Sequence, residues 1–242
     1  MIKEAIEYIV GLSEPNIKNI GEEVYSDKSL RRISYNPQAE PIRLHTLTGL
    51  VDYVKSKFDP LKFPATKLII EVESPERVKL YTSLDYERTR EELAVVEARI
   101  PSFQFNKFIG SEEFIINVQA KFIDDDSSDR AAILSFAGTV ETGSIAEYSD
   151  DGVSQKATVK EGIINKVERL VPNPVKLRPY RTFLEVEQPA SEFIFRMKND
   201  SFGVDCAIFE ADGGAWVNAA TRNIKEYLSF ELSEIENLLI IS

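Results

Sequence analysis

Two glycines, Gly213 and Gly214, stand inside "FEADGGAWVNAATRNIKEYL", residues 209–228. A strand that turns through glycines into a helix leaves bare amides at the helix start, and such amides can hold an anion. The pattern lacks the G-x-G-x-x-G of a dinucleotide turn and the Lys-Ser/Thr of a phosphate loop. The competing reading is a turn: glycine takes positive φ at no steric cost and Asp212 caps the helix. Trp216, Ala220, Ile224 and Tyr227 then form the helix's buried row. A second candidate is basic. "KVERLVPNPVKLRPYR" carries Lys166, Arg169, Lys176, Arg178 and Arg181, a stripe for phosphates or else a solvated loop and strand edge. Gly213, Gly214, Lys176, Arg178 and Arg181 are therefore the candidate ligand-binding residues.

Aromatic pairs offer a third possibility. Phe103 and Phe105, like Phe193 and Phe195, lie two apart, so a strand would turn both members of a pair to one face. That face meets the core, or, beside a base such as Arg196, it stacks on single-stranded nucleic acid.

Metal and nucleophile chemistry find little support. The chain has one histidine, His45, and one cysteine, Cys206. They supply neither a His-rich nor a Cys-type zinc set, and a Cys–His pair would have to meet across the fold. Read as a calcium loop from Asp124, "DDDSSDR" puts Asp129 where glycine is required and Ser135 where a glutamate must close the site. The acidic stretch is instead a turn before a helix, capped by Asp129 or a serine. No spacing marks a catalytic pair of carboxylates. The expectation is a non-enzyme with no cofactor, no metal and no catalytic residue.

The elements that must position these residues follow from periodicity. Residues 1–40 are predicted to be an N-terminal arm: a helix whose apolar spacing stops at Gly11, then an irregular stretch with Pro15 and Pro37. Residues 41–242 are predicted to be one α+β domain, a mostly antiparallel sheet with hairpins and several packed helices. A short strand at Ile42 and Leu44 precedes a helix with Leu47, Leu50, Val51, Val54 and Phe58 on one face. Thr46 or Thr48 caps it and Pro60 ends it. A hairpin turning at Glu73-Ser74-Pro75-Glu76 and a third strand within "REELAVVEARIPSFQF" form an antiparallel meander. Two helices follow, the first capped by Ser111 with Phe114, Ile115, Val118 and Phe122 inside. Then come a hairpin at Asp151-Gly152, strands near 175–186, 192–198 and 204–210, the helix after the glycines, and a last strand or short helix.

Composition bounds the class. The 242 residues are 43% hydrophobic, with 40 acidic against 29 basic side chains and a net charge of −11. That field opposes nucleic acid, whose binding rests on neutralised phosphates. A lone cysteine and a start without a signal peptide point to a reducing cytosol. No apolar run approaches the roughly 20 residues of a membrane span.

Five phrases together resemble a family of tailed-phage and prophage proteins known as a domain of unknown function: "HTLTGLVDYVKS", "IIEVESPERVKLYTSL", "EEFIINVQAKF", "YSDDGVSQKATVKEGI" and "FEADGGAWVNAATRNIKEYL". The resemblance spans roughly residues 42–230. It implies an early or accessory gene product in the host cytoplasm and brings no activity, cofactor or site residue with it. The expected function is binding, as a homo-oligomer, to a host or phage protein or to a small defence-related molecule. The alternatives are a single-stranded nucleic-acid protein supporting recombination and a self-assembling shell protein.

Overall fold

The computed structural model of the chain describes residues 2–13, 15–20, 23–28, 38–59, 66–86, 88–141, 145–150, 155–161, 165–170, 173–200 and 203–242. They fall into two units, Met1–Ala39 and Glu40–Ser242.

In the first unit α1 (Ile2–Ser13) is followed by an antiparallel hairpin of β1 (Ile17–Ile20) and β2 (Glu23–Ser26). Sequence periodicity ends the helix at Gly11 and shows nothing regular after it; both expectations are corrected here. One glycine costs a helix only about 1 kcal/mol, so the turn continues past it. Strands of four residues are too short to declare an alternation. The hairpin is closed instead by Asn16, whose N–H donates to Asp27 Oδ1 at 2.7 Å. Ile2, Ile6, Ile9 and Val10 share one face of α1, and all are exposed. So are Ile17, Ile20, Val24 and Tyr25 on the hairpin.

The second unit is α+β, and its described residues form two cores. The first sheet contains β3 (Ile42–Leu44), β4 (Leu68–Ser74), β5 (Arg77–Thr82), β6 (Glu92–Glu97) and β14 (Leu238–Ile241), ordered β14-β4-β5-β6-β3. Its centre is the expected antiparallel meander, but both edges pair in parallel, β14 with β4 and β3 with β6. Ile70, Val72, Val78, Leu80, Ala94 and Val96 form its buried face. They pack with Leu47, Leu50, Val51 and Val54 of α2 (Leu47–Ser56) and Ile224, Leu228 and Leu232 at α5 (Ala215–Glu231).

The second sheet, β11-β12-β13-β7, is antiparallel and contains β7 (Ile109–Gly110), β11 (Val175–Leu177), β12 (Ser191–Asp200) and β13 (Gly203–Glu210). Phe193, Phe195, Met197, Cys206 and Ile208 pack against Phe114 and Val118 of α3 (Ser111–Lys121) and Ile133 and Ala137 of α4 (Arg130–Glu141). A three-stranded antiparallel sheet, β10-β9-β8, is made of β8 (Ile145–Asp150), β9 (Gln155–Glu161) and β10 (Asn165–Leu170). The turn expected at Asp151-Gly152 falls outside the described residues, as do Pro60 and the side chains of Lys166 and Arg169.

Local chemistry explains where the other sequence expectations succeed and fail. Thr46 does cap α2, its Oγ1 accepting from the Gly49 N–H at 3.1 Å. The helix stops at Lys57, which turns left-handed at φ 48°, so Phe58 leaves the apolar row and is 84% exposed. Ser111 is not the cap of α3: β7 pairs with β13 through Gly110, and Gly110 itself takes the cap position. Phe122 lies past the end of α3 in extended backbone and enters the core through a bridge to Pro179. The tail is a strand, β14. The expected strand over 175–186 ends at Leu177. Beyond it the Gln188 side chain takes the place of a ladder partner. Its Oε1 accepts from the Arg181 and Thr182 N–H groups at 3.0 and 3.2 Å, and its Nε2 donates to the Phe183 carbonyl at 2.9 Å. The bonded side chain satisfies buried backbone groups that a loop would otherwise leave unpaired.

Candidate functional site

Arg181 is the centre of the described polar interior. Its side chain is 6% exposed, and its NH1 stands 2.9 Å from Glu210 Oε1 at the end of β13. Its NH2 donates to the Ser191 hydroxyl at the start of β12. The guanidinium lies 4.1 Å from the centroid of Trp216, in the first turn of α5, and 5.4 Å from that of Phe193. Burial pushes its pKa down to about 10, with Glu210 and Asp212 acting in the opposite sense, so it stays charged at neutral pH. A planar cation held between aromatic faces and a carboxylate is a use for which arginine is suited and lysine is not.

The glycine turn abuts this cluster. Gly213 and Gly214 adopt φ 62° and 81°, and Gly214 takes the N-cap position of α5 without a side chain to cap it. Asp212 supplies the acceptor from two residues upstream: its Oδ1 accepts from the Gly214 N–H at 3.0 Å. Burial pushes the Asp212 carboxyl up, but Ser191, the Gly214 and Trp216 amides and nearby Arg181 more than offset it and hold the group below the ordinary carboxylate value. The amides that sequence offers to an outside anion thus already face one belonging to the chain. Trp216 covers Arg181 instead of joining the inner row of α5, and Tyr227 is half-buried; the fully buried row is Ala220, Ile224 and Leu228.

Gly213, Gly214 and Arg181 are therefore brought together, whereas Lys176 and Arg178 belong to another neighbourhood. The Lys176 N–H donates to Asp129 Oδ2 at 2.7 Å, tying β11 to the residue before α4. Arg178 lies with its Nε 3.4 Å from Asp125 Oδ2 and its NH1 3.2 Å from Glu187 Oε1. A hydrogen bond from Ser127, aided by Arg178, holds the Asp125 carboxyl below its ordinary value. The aromatic pairs lie inward. Phe103 and Phe105 sit on a turn, not the expected strand, with ring centroids 4.7 Å apart, and Phe105 stacks on Phe193 at 5.6 Å. His45 donates from Nδ1 to the Glu97 carbonyl at 3.0 Å, at the edge of the first sheet. Cys206 is buried in the core of the second sheet, and burial pushes its thiol up to about 12. Among the described residues no group of three or more His, Cys, Asp and Glu side chains is placed to hold a metal ion, and no helix is long and apolar enough to cross a membrane.

Sequence reasoning missed a cleft of about 660 Å³ at the end of the first sheet where β4 and β6 begin. Its floor is Val54, Leu68, Leu80, Leu93 and Ile235, and its rim carries Lys57, Asp59, Glu234 and Glu236. Tyr53 lines it and donates its hydroxyl to Asp59 Oδ2 at 2.9 Å. No short motif could have announced it, since the lining comes from α2, three strands and the turn before β14. The volume is in the range of small-molecule sites, and an apolar floor with a few polar groups at the rim is their usual composition. Compared with protein-family models, curated proteins and solved structures, the chain matches none.

Proposed function

We propose that the chain is a non-enzymatic accessory protein of tailed phages or prophages that acts by binding in the bacterial host cytoplasm, as a homo-oligomer assembled through its N-terminal arm. The observation that carries this reading is the arm's surface. It forms a helix and a hairpin, yet Ile2, Ile6, Ile9, Val10, Ile17, Ile20, Val24 and Tyr25 are all exposed. A 12-residue helix is marginal in water by itself, and most helical stability in proteins comes from packing an apolar face. A second copy offers that face in self-complementary form. The resemblance of five sequence phrases to tailed-phage proteins supports the biological setting, and the cleft favours a small molecule over a host or phage protein as the partner.

The test is native mass spectrometry of the gently purified full chain beside an Ile6→Asp/Ile9→Asp double variant. A defined oligomer that becomes monomeric in the variant, with circular dichroism of the body unchanged, is expected. A monomeric parent chain overturns the oligomer reading. Tight, salt-sensitive binding of an oligonucleotide would move the assignment to the single-strand alternative.

A further inference from the structure

We infer that the cleft at the end of the first sheet is a binding site for a small organic cation, an ammonium group carried on an apolar body. The inference rests on the binding reading above but does not depend on the arm. Its first support is shape and lining: about 660 Å³ floored by Val54, Leu68, Leu80, Leu93 and Ile235. Leu80 is almost fully buried beneath the floor, so an apolar body entering the cleft meets close-packed hydrocarbon. The second is charge. Among the described lining residues three carboxylates, Asp59, Glu234 and Glu236, stand against one ammonium, that of Lys57. Nearby Lys55 is already engaged by Glu231 at 3.1 Å.

The potential reaches the inner wall. Tyr53 is pushed up to about 12, first by burial, then by its bond to Asp59 and the charges of Asp59 and Glu91. Tyr53, its hydroxyl donated to Asp59 Oδ2 at 2.9 Å, is one of the aromatic side chains that line the cleft. Phe58 adds a second, largely exposed aromatic ring to the lining. Aromatic faces beside carboxylates attract cations by quadrupole and by charge. A carboxylate or phosphate ligand would meet like charge at the rim. A wholly apolar one would desolvate the rim without replacing its water.

The experiment titrates the full chain with n-octylammonium, n-octanol and n-octanoate, all below their micellar concentrations, by calorimetry and by amide resonance shifts. The expected order is octylammonium above octanol above octanoate, the first two separated by about tenfold in Kd, with shifts at Tyr53, Leu68 and Ile235. A Glu234→Gln/Glu236→Gln variant with an unchanged melting temperature should bind octylammonium no better than octanol. Raising salt to about 0.5 M should do the same. Octanoate binding as well as octylammonium, or no probe binding at all, overturns the inference. An oligomer that binds no probe refutes the ligand alone; a monomer that binds octylammonium refutes the assembly alone.

Discussion

A guanidinium closed in by Trp216, Phe193, Glu210 and Ser191 holds together residues from three elements. Removing Arg181 leaves Glu210 without its partner and opens a gap under the only tryptophan. Because Glu210 retains some access to water, Arg181→Ala is expected to cost about 2–3 kcal/mol in urea unfolding, toward the lower end for a broken buried pair. Trp216 emission should shift in the folded state, and Arg181→Lys should restore only part of the loss. Cys206 gives a pH signature. Its thiol is pushed up to about 12 in the folded chain against an ordinary value of 9.0. The native state thus keeps a proton that the unfolded state releases, so stability is intact below pH 9 and declines as pH rises toward 12. The parent chain should lose about 1 kcal/mol more than Cys206→Ala for each pH unit across that window. Little of this was legible in the sequence. Arg181 reads as one base of a solvated stripe, because its partners lie 10 to 35 residues away and only the fold brings them near.

Elements were more legible where one local rule decides them. Thr46 caps α2, the Ser74-Pro75 turn forms, and the two glycines before α5 take positive φ. Where two rules compete, sequence chose wrongly. Lys57 ends α2 before proline is reached, and Gln188 replaces a strand ladder with side-chain bonds. The glycines also permit a paired test of opposite sign. Gly138 lies inside α4, where an added Cβ would meet nothing within 4 Å, so Gly138→Ala should stabilise the chain by about 0.5–1 kcal/mol. Gly214 has equal space, but its φ of 81° disfavours any side chain, and Gly214→Ala should destabilise by about 1–2 kcal/mol. Thermal unfolding of both variants reads the contrast directly. Loss of the octylammonium preference in Gly214→Ala is not expected, since the turn does not line the cleft.

At the scale of the molecule, sequence conveyed the α+β class and the antiparallel bias but not the mixed first sheet. The parallel pairs join strands about 50 and 170 residues apart, β3 with β6 and β14 with β4, and periodicity carries no information over such distances. Nor did it show that the body's described residues form two cores. The buried residues of the second sheet's core all lie within 109–208, with Phe103 and Phe105 packed against them from just upstream. The other core draws on residues 47–96 and 224–232, with Phe183 and Val186 reaching in from the loop after β11. One core is thus nested within the sequence of the other, and this has a kinetic consequence. Joining α2 to α5 in an open chain closes a very long loop, whereas a formed inner core shortens the loop that remains. The inner core should therefore be structured early in folding and the outer one completed late. In stopped-flow chevrons Val118→Ala should chiefly slow refolding, and Leu228→Ala should chiefly hasten unfolding. The nested arrangement makes one half of the body the scaffold on which the other half closes.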